Sequence, residues 1–158
     1  MAIVRQILET KGYDVYAVAP DTTIYEALEL MAEKNIGAVL VMTDDALDGI
    51  FSERDYARKV VLAGKSSRAM PVREAMTETV ICVQPNQSVE GCMGLMTDKR
   101  IRHLPVLDQE GAVIGVISIG DVVKALISEQ ANTIHHLESY ITTGHPGAGS
   151  QTRKVQER

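Results

Sequence analysis

The sequence predicts an α/β (α+β) fold made of two tandem βαββα units packed as a pseudo-two-fold pair, and three observations lead there. Residues 18–24, VAPDTTI, return as VQPNQSV at 83–89, 65 positions on. The offset holds through Ile36 and Ile101 and through Val41 and Val106. It then becomes 66, with Gly49, Ser52 and Asp55 answered by Gly115, Ser118 and Asp121. One extra residue in a hairpin loop is a change that a duplicated fold tolerates easily. Within each unit, finally, apolar residues first recur at helical spacing and then form a short continuous run, as a helix followed by a buried strand would.

Each element follows in order. A short helix at 3–10 is expected to pack outside the repeat, and a leading strand follows near 15–18. Asp21 or Thr22 caps a helix on which Ile24, Ala27, Leu28 and Met31 recur every three or four residues, and Asn35 and Gly37 end it. The run AVLVM at 38–42 is too short and too continuously apolar for a surface helix, so it reads as a buried strand. Asp44 and Asp45 turn the chain, 49–52 returns as a second strand, and a helix runs from about 53 to 62. Residues 63–73, rich in Gly, Lys and Ser, connect the units, and Pro71 opens a short helix through Met76.

The second unit repeats the scheme with a leading strand at 80–83 and a helix face of Val89, Cys92, Met93 and Met96. Strands at 103–107 and 113–118 come next. Its last helix starts near Asp121 and runs to about Ile141, since Val122, Ala125, Leu126, Ala131, Ile134, Leu137 and Ile141 sustain the helical period. The expected division is a first repeat with its N-terminal helix at 1–66, a connector at 67–76, a second repeat at 77–143 and a flexible tail at 144–158. One repeat of about 55 to 60 residues is marginal on its own, so the two should share an interface, and crevices between such halves are where small ligands bind.

Composition narrows the function. Among 158 residues, 45% are hydrophobic and 23% charged, with no Trp and one Phe, so the core is aliphatic and stacking platforms are scarce. A net charge of −5 spread over both halves argues against binding along a nucleic acid, although one phosphate group needs only local charge. No apolar run approaches the roughly 20 residues that span a bilayer, and the first residues lack a secretory apolar stretch. The expectation is a soluble, cytoplasmic protein without membrane contact. Cys82 and Cys92 show no metal-binding spacing and read as buried free thiols.

The pattern Gly-x-x-Ser-x-x-Asp at each strand-to-helix junction carries the chemistry, and it has two readings that can coexist. In one, Ser52 and Ser118 are N-caps, and Asp55 and Asp121 complete capping boxes. In the other, each carboxylate projects from the first helical turn to accept both hydroxyls of a ribose, while the Ser hydroxyl and free N–H groups face a phosphate. Other candidates are weaker. Adjacent His135 and His136 face different directions on one helix, the glycines at 91–94 and 144–149 lack the strand and helix context of a dinucleotide loop, and no nucleophile has an evident base and orienting partner. No metal site and no catalytic residues are predicted.

The repeated helix start, the strand entries IGAVLV and IRHLPV, and the two Gly-x-x-Ser-x-x-Asp junctions resemble the cystathionine-β-synthase (CBS) domain pair, or Bateman module, over residues 13–127. The second copy is close to that pattern at 102–108, RHLPVLD. The first departs from it, with Ala38, Val39 and Leu40 where Leu-Pro-Val is usual, and with Glu53 and Arg54 between Ser52 and Asp55. Those departures make the two sites unequal.

The resemblance implies a stand-alone regulatory module, not an enzyme, with adenosine ligands in both crevices: AMP first, with ADP, ATP, NAD or S-adenosylmethionine as alternatives. It implies one site built from Ser118, Asp121, Lys11, Asp14, Tyr16, Ile36 and Gly37. The other would join Ser52, Arg54 and Asp55 to Thr77, Thr79, Ile81 and Ile101. Arg102 and His103, at the mouth between the sites, are the phosphate candidates, and Pro105 is counted with the binding residues. It also implies a homodimer formed through helices, and a downstream protein that reads the ligand-induced change. The rival reading is an interaction scaffold that binds no ligand.

Overall fold

The computed structural model describes residues 1–144. Its elements are α1 (Val4–Lys11), β1 (Ala17–Val18), α2 (Ile24–Lys34), β2 (Ala38–Thr43), β3 (Ala46–Ser52) and α3 (Glu53–Asp55, continuing as a π-helix over Tyr56–Val61). A 3-10 turn at Val72–Glu74 leads to α4 (Val89–Lys99), β4 (His103–Leu107), β5 (Val113–Ser118) and α5 (Ile119–Gly144). Of the tail expected at 144–158, Gly144 is the last residue of α5 and the rest lies outside the described residues.

Two small sheets result. In the first half β1 runs parallel to β2, and β2 pairs antiparallel with β3. In the second half β4 pairs antiparallel with β5, and the leading segment contributes a single parallel bridge from Val83 to Val106. Both hairpins slip register at the same place, between Val41 and Met42 and between Val106 and Leu107. The duplication therefore extends to the bulges.

Local chemistry accounts for the helix limits. Thr23, rather than Asp21 or Thr22, caps α2: its hydroxyl accepts the Glu26 N–H at 3.2 Å, and the Glu26 carboxylate returns to the Thr23 N–H. Ser88 does the same for α4 by accepting the Gly91 N–H at 3.0 Å. Asn35 and Arg100 end the two helices at the same repeat position, both left-handed with φ 54° and 53°.

The expectation that the first helix packs outside the repeat is corrected. Val4, Ile7 and Leu8 on α1 are buried in one core with Val83, Val89, Cys92, Met96, Leu104, Val106, Ile117 and Val122, all from the second half. The connector does the reverse. Met70, Val72 and Ala75 are buried with Ile24, Ala27, Met31, Val39, Val41, Phe51 and Val60 of the first half.

The backbone bonds of these two exchanged segments match. Val4 and Arg5 donate to Gln87 and Pro85 carbonyls at 2.9 and 2.8 Å, while Val72 and Arg73 donate to Thr22 and Pro20 carbonyls at 2.7 and 3.1 Å. Each half thus supplies the opening segment of the other's core. This explains the glycine of the junction motif. A Cβ on Gly115 would lie 2.6 Å from Leu8 Cδ2, and one on Gly49 would lie 2.9 Å from the Thr77 carbonyl oxygen.

Cys92 is buried and Cys82 half-buried, both as free thiols, and burial pushes both above their ordinary pKa. Beyond residue 126, α5 leaves the core, exposing Ile127, Ile134, Leu137 and Ile141. Among the described residues, no helix is long and apolar enough to cross a membrane.

Candidate functional site

The chain crosses from one half to the other twice, at 12–16 and at 78–82, and a cleft opens at each crossing. The smaller has a volume of about 360 Å³ and the larger about 950 Å³, the size range of small-ligand pockets.

The smaller cleft brings together Lys11 at the end of α1, Asp14 and Tyr16 on the crossing, Ile36 and Gly37 before β2, and Ser118 and Asp121 at the start of α5. The larger brings together Ser52, Arg54 and Asp55 at the start of α3, Thr77, Thr79 and Ile81 on the crossing, and Ile101 and Arg102 before β4. His103 lines both clefts, as do Gly37, Ile50 and Ser118. Pro105 is the exception among the predicted residues. It is buried within β4 opposite Val116, its carbonyl accepts the Val83 N–H at 3.0 Å, and it lines neither cleft.

Each junction carries its capping interactions. Ser118 Oγ accepts the Asp121 N–H at 3.2 Å and the Ser118 N–H donates back to Asp121 Oδ2 at 2.8 Å. Ser52 and Asp55 repeat this at 3.2 and 3.0 Å. The carboxylates differ in what else they hold. Asp55 spends both oxygens on protein: Oδ2 accepts the Ser52 N–H and hydroxyl at 3.0 Å each, and Oδ1 lies 3.1 Å from both Thr77 Oγ1 and Lys59 Nζ. Asp121 uses only Oδ2, which takes Lys11 Nζ at 2.7 Å besides Ser118 N–H. Its Oδ1 accepts no hydrogen bond from the described residues, and Asp121 lines the smaller cleft.

Electrostatics follow from these contacts. Burial works to raise the Asp121 pKa, but the hydrogen bond and charge of Lys11 and the bonds from Ser118 outweigh it and hold the carboxyl below its ordinary value. Burial is the main influence lowering His103. Lys11 and Arg102 add to it and Asp121 opposes it, so the imidazole is neutral at pH 7.

Four basic residues of the larger cleft escaped the sequence reading: Arg58, Lys59, Lys99 and Arg100. Arg58 and Lys59 follow Asp55 by three and four residues on one helix face, which is the signal that could have found them. Arg54 turns its guanidinium to the Arg100 carbonyl at 2.7 Å. His135 and His136 are exposed with ring centres 6.4 Å apart. Among the described residues, no group of three or more His, Cys, Asp or Glu could hold a metal ion.

Duplicated βαββα units with exchanged opening segments, a cleft at each crossing and an aspartate at each helix start define a CBS-domain pair. The CBS domain pattern matches residues 4–62 and again 72–128, and the chain belongs to that family. It is similar to the mitochondrial CBS domain-containing protein CBSX3 of Arabidopsis thaliana, 43% identical over 130 residues that cover 79% of this chain and 63% of that protein. The CBS domain-containing protein YhcV of Bacillus subtilis is 32% identical over 125 residues, covering 79% of this chain and 88% of that one. Among solved structures, a CBS-domain protein of Burkholderia ambifaria superposes with a TM-score of 0.79 at 53% identity, covering 82% of this chain and 96% of its own. CBSX2, solved in complex with AMP, shares the fold at a TM-score of 0.65 and 24% identity. The chain is a pair of CBS domains, a regulatory module.

Proposed function

We propose that this protein binds an adenosine-containing nucleotide, AMP in the first place, in the clefts between its halves, and that binding shifts a conformation or assembly read by a downstream protein. The observation that carries this reading is the state of Asp121. Its Oδ2 is tied down by Lys11 and Ser118, its Oδ1 takes none of the hydrogen bonds found among the described residues, and Asp121 lines the smaller cleft. A fixed carboxylate with a free oxygen suits the vicinal hydroxyls of a ribose. The AMP bound to CBSX2 indicates that the fold can seat such a ligand, while the argument for this chain rests on its own cleft. ADP, ATP, NAD and S-adenosylmethionine carry the same sugar and belong to the same test.

A thermal-shift panel of those five ligands should raise the melting temperature with at least one, because a ligand at about 100 times its dissociation constant adds about 2.7 kcal/mol. Asp121→Ala should then weaken calorimetric binding by about one to three orders of magnitude. Equal affinity in the variant would sink the assignment, and silence across the panel would leave the scaffold reading.

The homodimer is proposed on the exposed apolar positions Val61 and Leu62 of the α3 end and Ile119, Val123 and Ile127 of α5. A monomeric mass by light scattering at micromolar concentration would remove it. Two free thiols fit a reducing compartment such as the cytoplasm.

A further inference from the structure

The two clefts are related by the repeat but opposite in charge. Six cationic side chains line the larger one: Arg54, Arg58, Lys59, Lys99, Arg100 and Arg102. Only Glu53 and Asp55 oppose them. Lys11 stands against Asp14 and Asp121 in the smaller. The repeat offsets say where this difference was introduced. Arg100 and Arg102 fall where the first copy has Asn35 and Gly37, which line the smaller cleft, whereas Arg58 and Lys99 have cationic counterparts, Lys124 and Lys34, that do not line it.

Structural duties account for part of the set. Lys59 pairs with Asp55, Arg54 holds the Arg100 carbonyl, and Lys99 and Arg100 complement the C-terminal dipole of α4. Arg58, Lys99, Arg100 and Arg102 nevertheless make no ion pair among the described residues. Four like charges around one cleft repel one another until an anion arrives. Arg100 also has a left-handed backbone, φ 53°, which Asn35 adopts at the matching position with less steric cost.

We propose that the larger cleft is a polyphosphate site, taking the phosphate chain of a nucleoside di- or triphosphate, whereas the smaller cleft takes a nucleoside or its monophosphate. Resting on the nucleotide reading above, this assigns each cleft its ligand charge. It also accounts for the unequal aspartates. With both oxygens engaged, Asp55 has little left for a sugar, so binding there draws on the phosphates. Asp121 keeps an oxygen for the ribose and has one lysine nearby.

The test uses inorganic tripolyphosphate and adenosine as separate probes, titrated by calorimetry into the full chain and into the double variant Arg100→Gln/Arg102→Gln. Tripolyphosphate should bind the parent and compete with ATP, and its affinity should fall about a hundredfold in the double variant, about tenfold for each arginine. Its affinity should also drop with added salt. Adenosine affinity should change less than about twofold. Tripolyphosphate binding equally well to the variant, or not at all to the parent, overturns the proposal even if nucleotides bind. Tripolyphosphate bound without any adenosine binding would uphold the polyphosphate cleft while overturning the nucleotide reading of the smaller one.

Discussion

His103 is the residue whose surroundings say most. It lines both clefts, and its imidazole packs over Gly37, where a Cβ would lie 3.3 Å from the ring. With a folded pKa below the ordinary 6.5, it stays neutral in the native state as the pH falls, while the unfolded chain takes up the proton first. Its contribution to stability is therefore whole above pH 6.5 and is lost as the pH drops toward the folded value. Denaturant unfolding at pH 7.5 and pH 5.5 should show a loss in the parent that His103→Gln lacks; equal losses would contradict this account. Asp121 is also depressed but titrates lower, so the stability it supplies persists until the pH falls below its ordinary 3.8. The two effects separate on the pH axis.

At the scale of the element, the exchange of opening segments governs stability. Leu8 is buried at 1% exposure against Gly115 and the second core, although it lies in the first copy by sequence. Leu8→Ala should cost about 2–5 kcal/mol in chemical denaturation, since it leaves a cavity in a packed core. Hydrogen exchange should rise first in β4, β5 and α4. A helix merely appended to the outside would lose about 0.5 kcal/mol or less, so a small effect would refute the exchange. Gly115→Ala tests the same contact from the other side. Its methyl would meet Leu8 and should destabilise by about 1–3 kcal/mol, less so in a Leu8→Ala background.

At the scale of the whole molecule, the halves are tied by the same crossings that form the clefts, so ligand binding and the packing of the halves are linked. If a nucleotide fills the smaller cleft, it contacts α1 and the 12–16 crossing, both belonging by sequence to the first copy, and α5 of the second. Thermal unfolding should then remain one cooperative transition, displaced upward by ligand, instead of splitting into two. Two transitions, only one of them moved by ligand, would show that the halves melt independently. The basic cleft also qualifies what bulk charge implies: a chain of net charge −5 still gathers six cations around one opening.

The sequence by itself determined the duplication, the order of helices and strands and the two strand-to-helix junctions. These are legible because short-range periods and a fixed repeat offset survive in a linear text. The other cleft residues were named through the likeness to the CBS-domain pair. Only the tertiary structure decided that α1 belongs to the second core and Val72 to the first. It also decided that Pro105 turns inward, that Asp55 is saturated while Asp121 is not, and that Arg58, Lys59, Lys99 and Arg100 converge. Such facts depend on which distant segments fill a given core and which partners a carboxylate meets in space, and no local pattern of residue types encodes that choice.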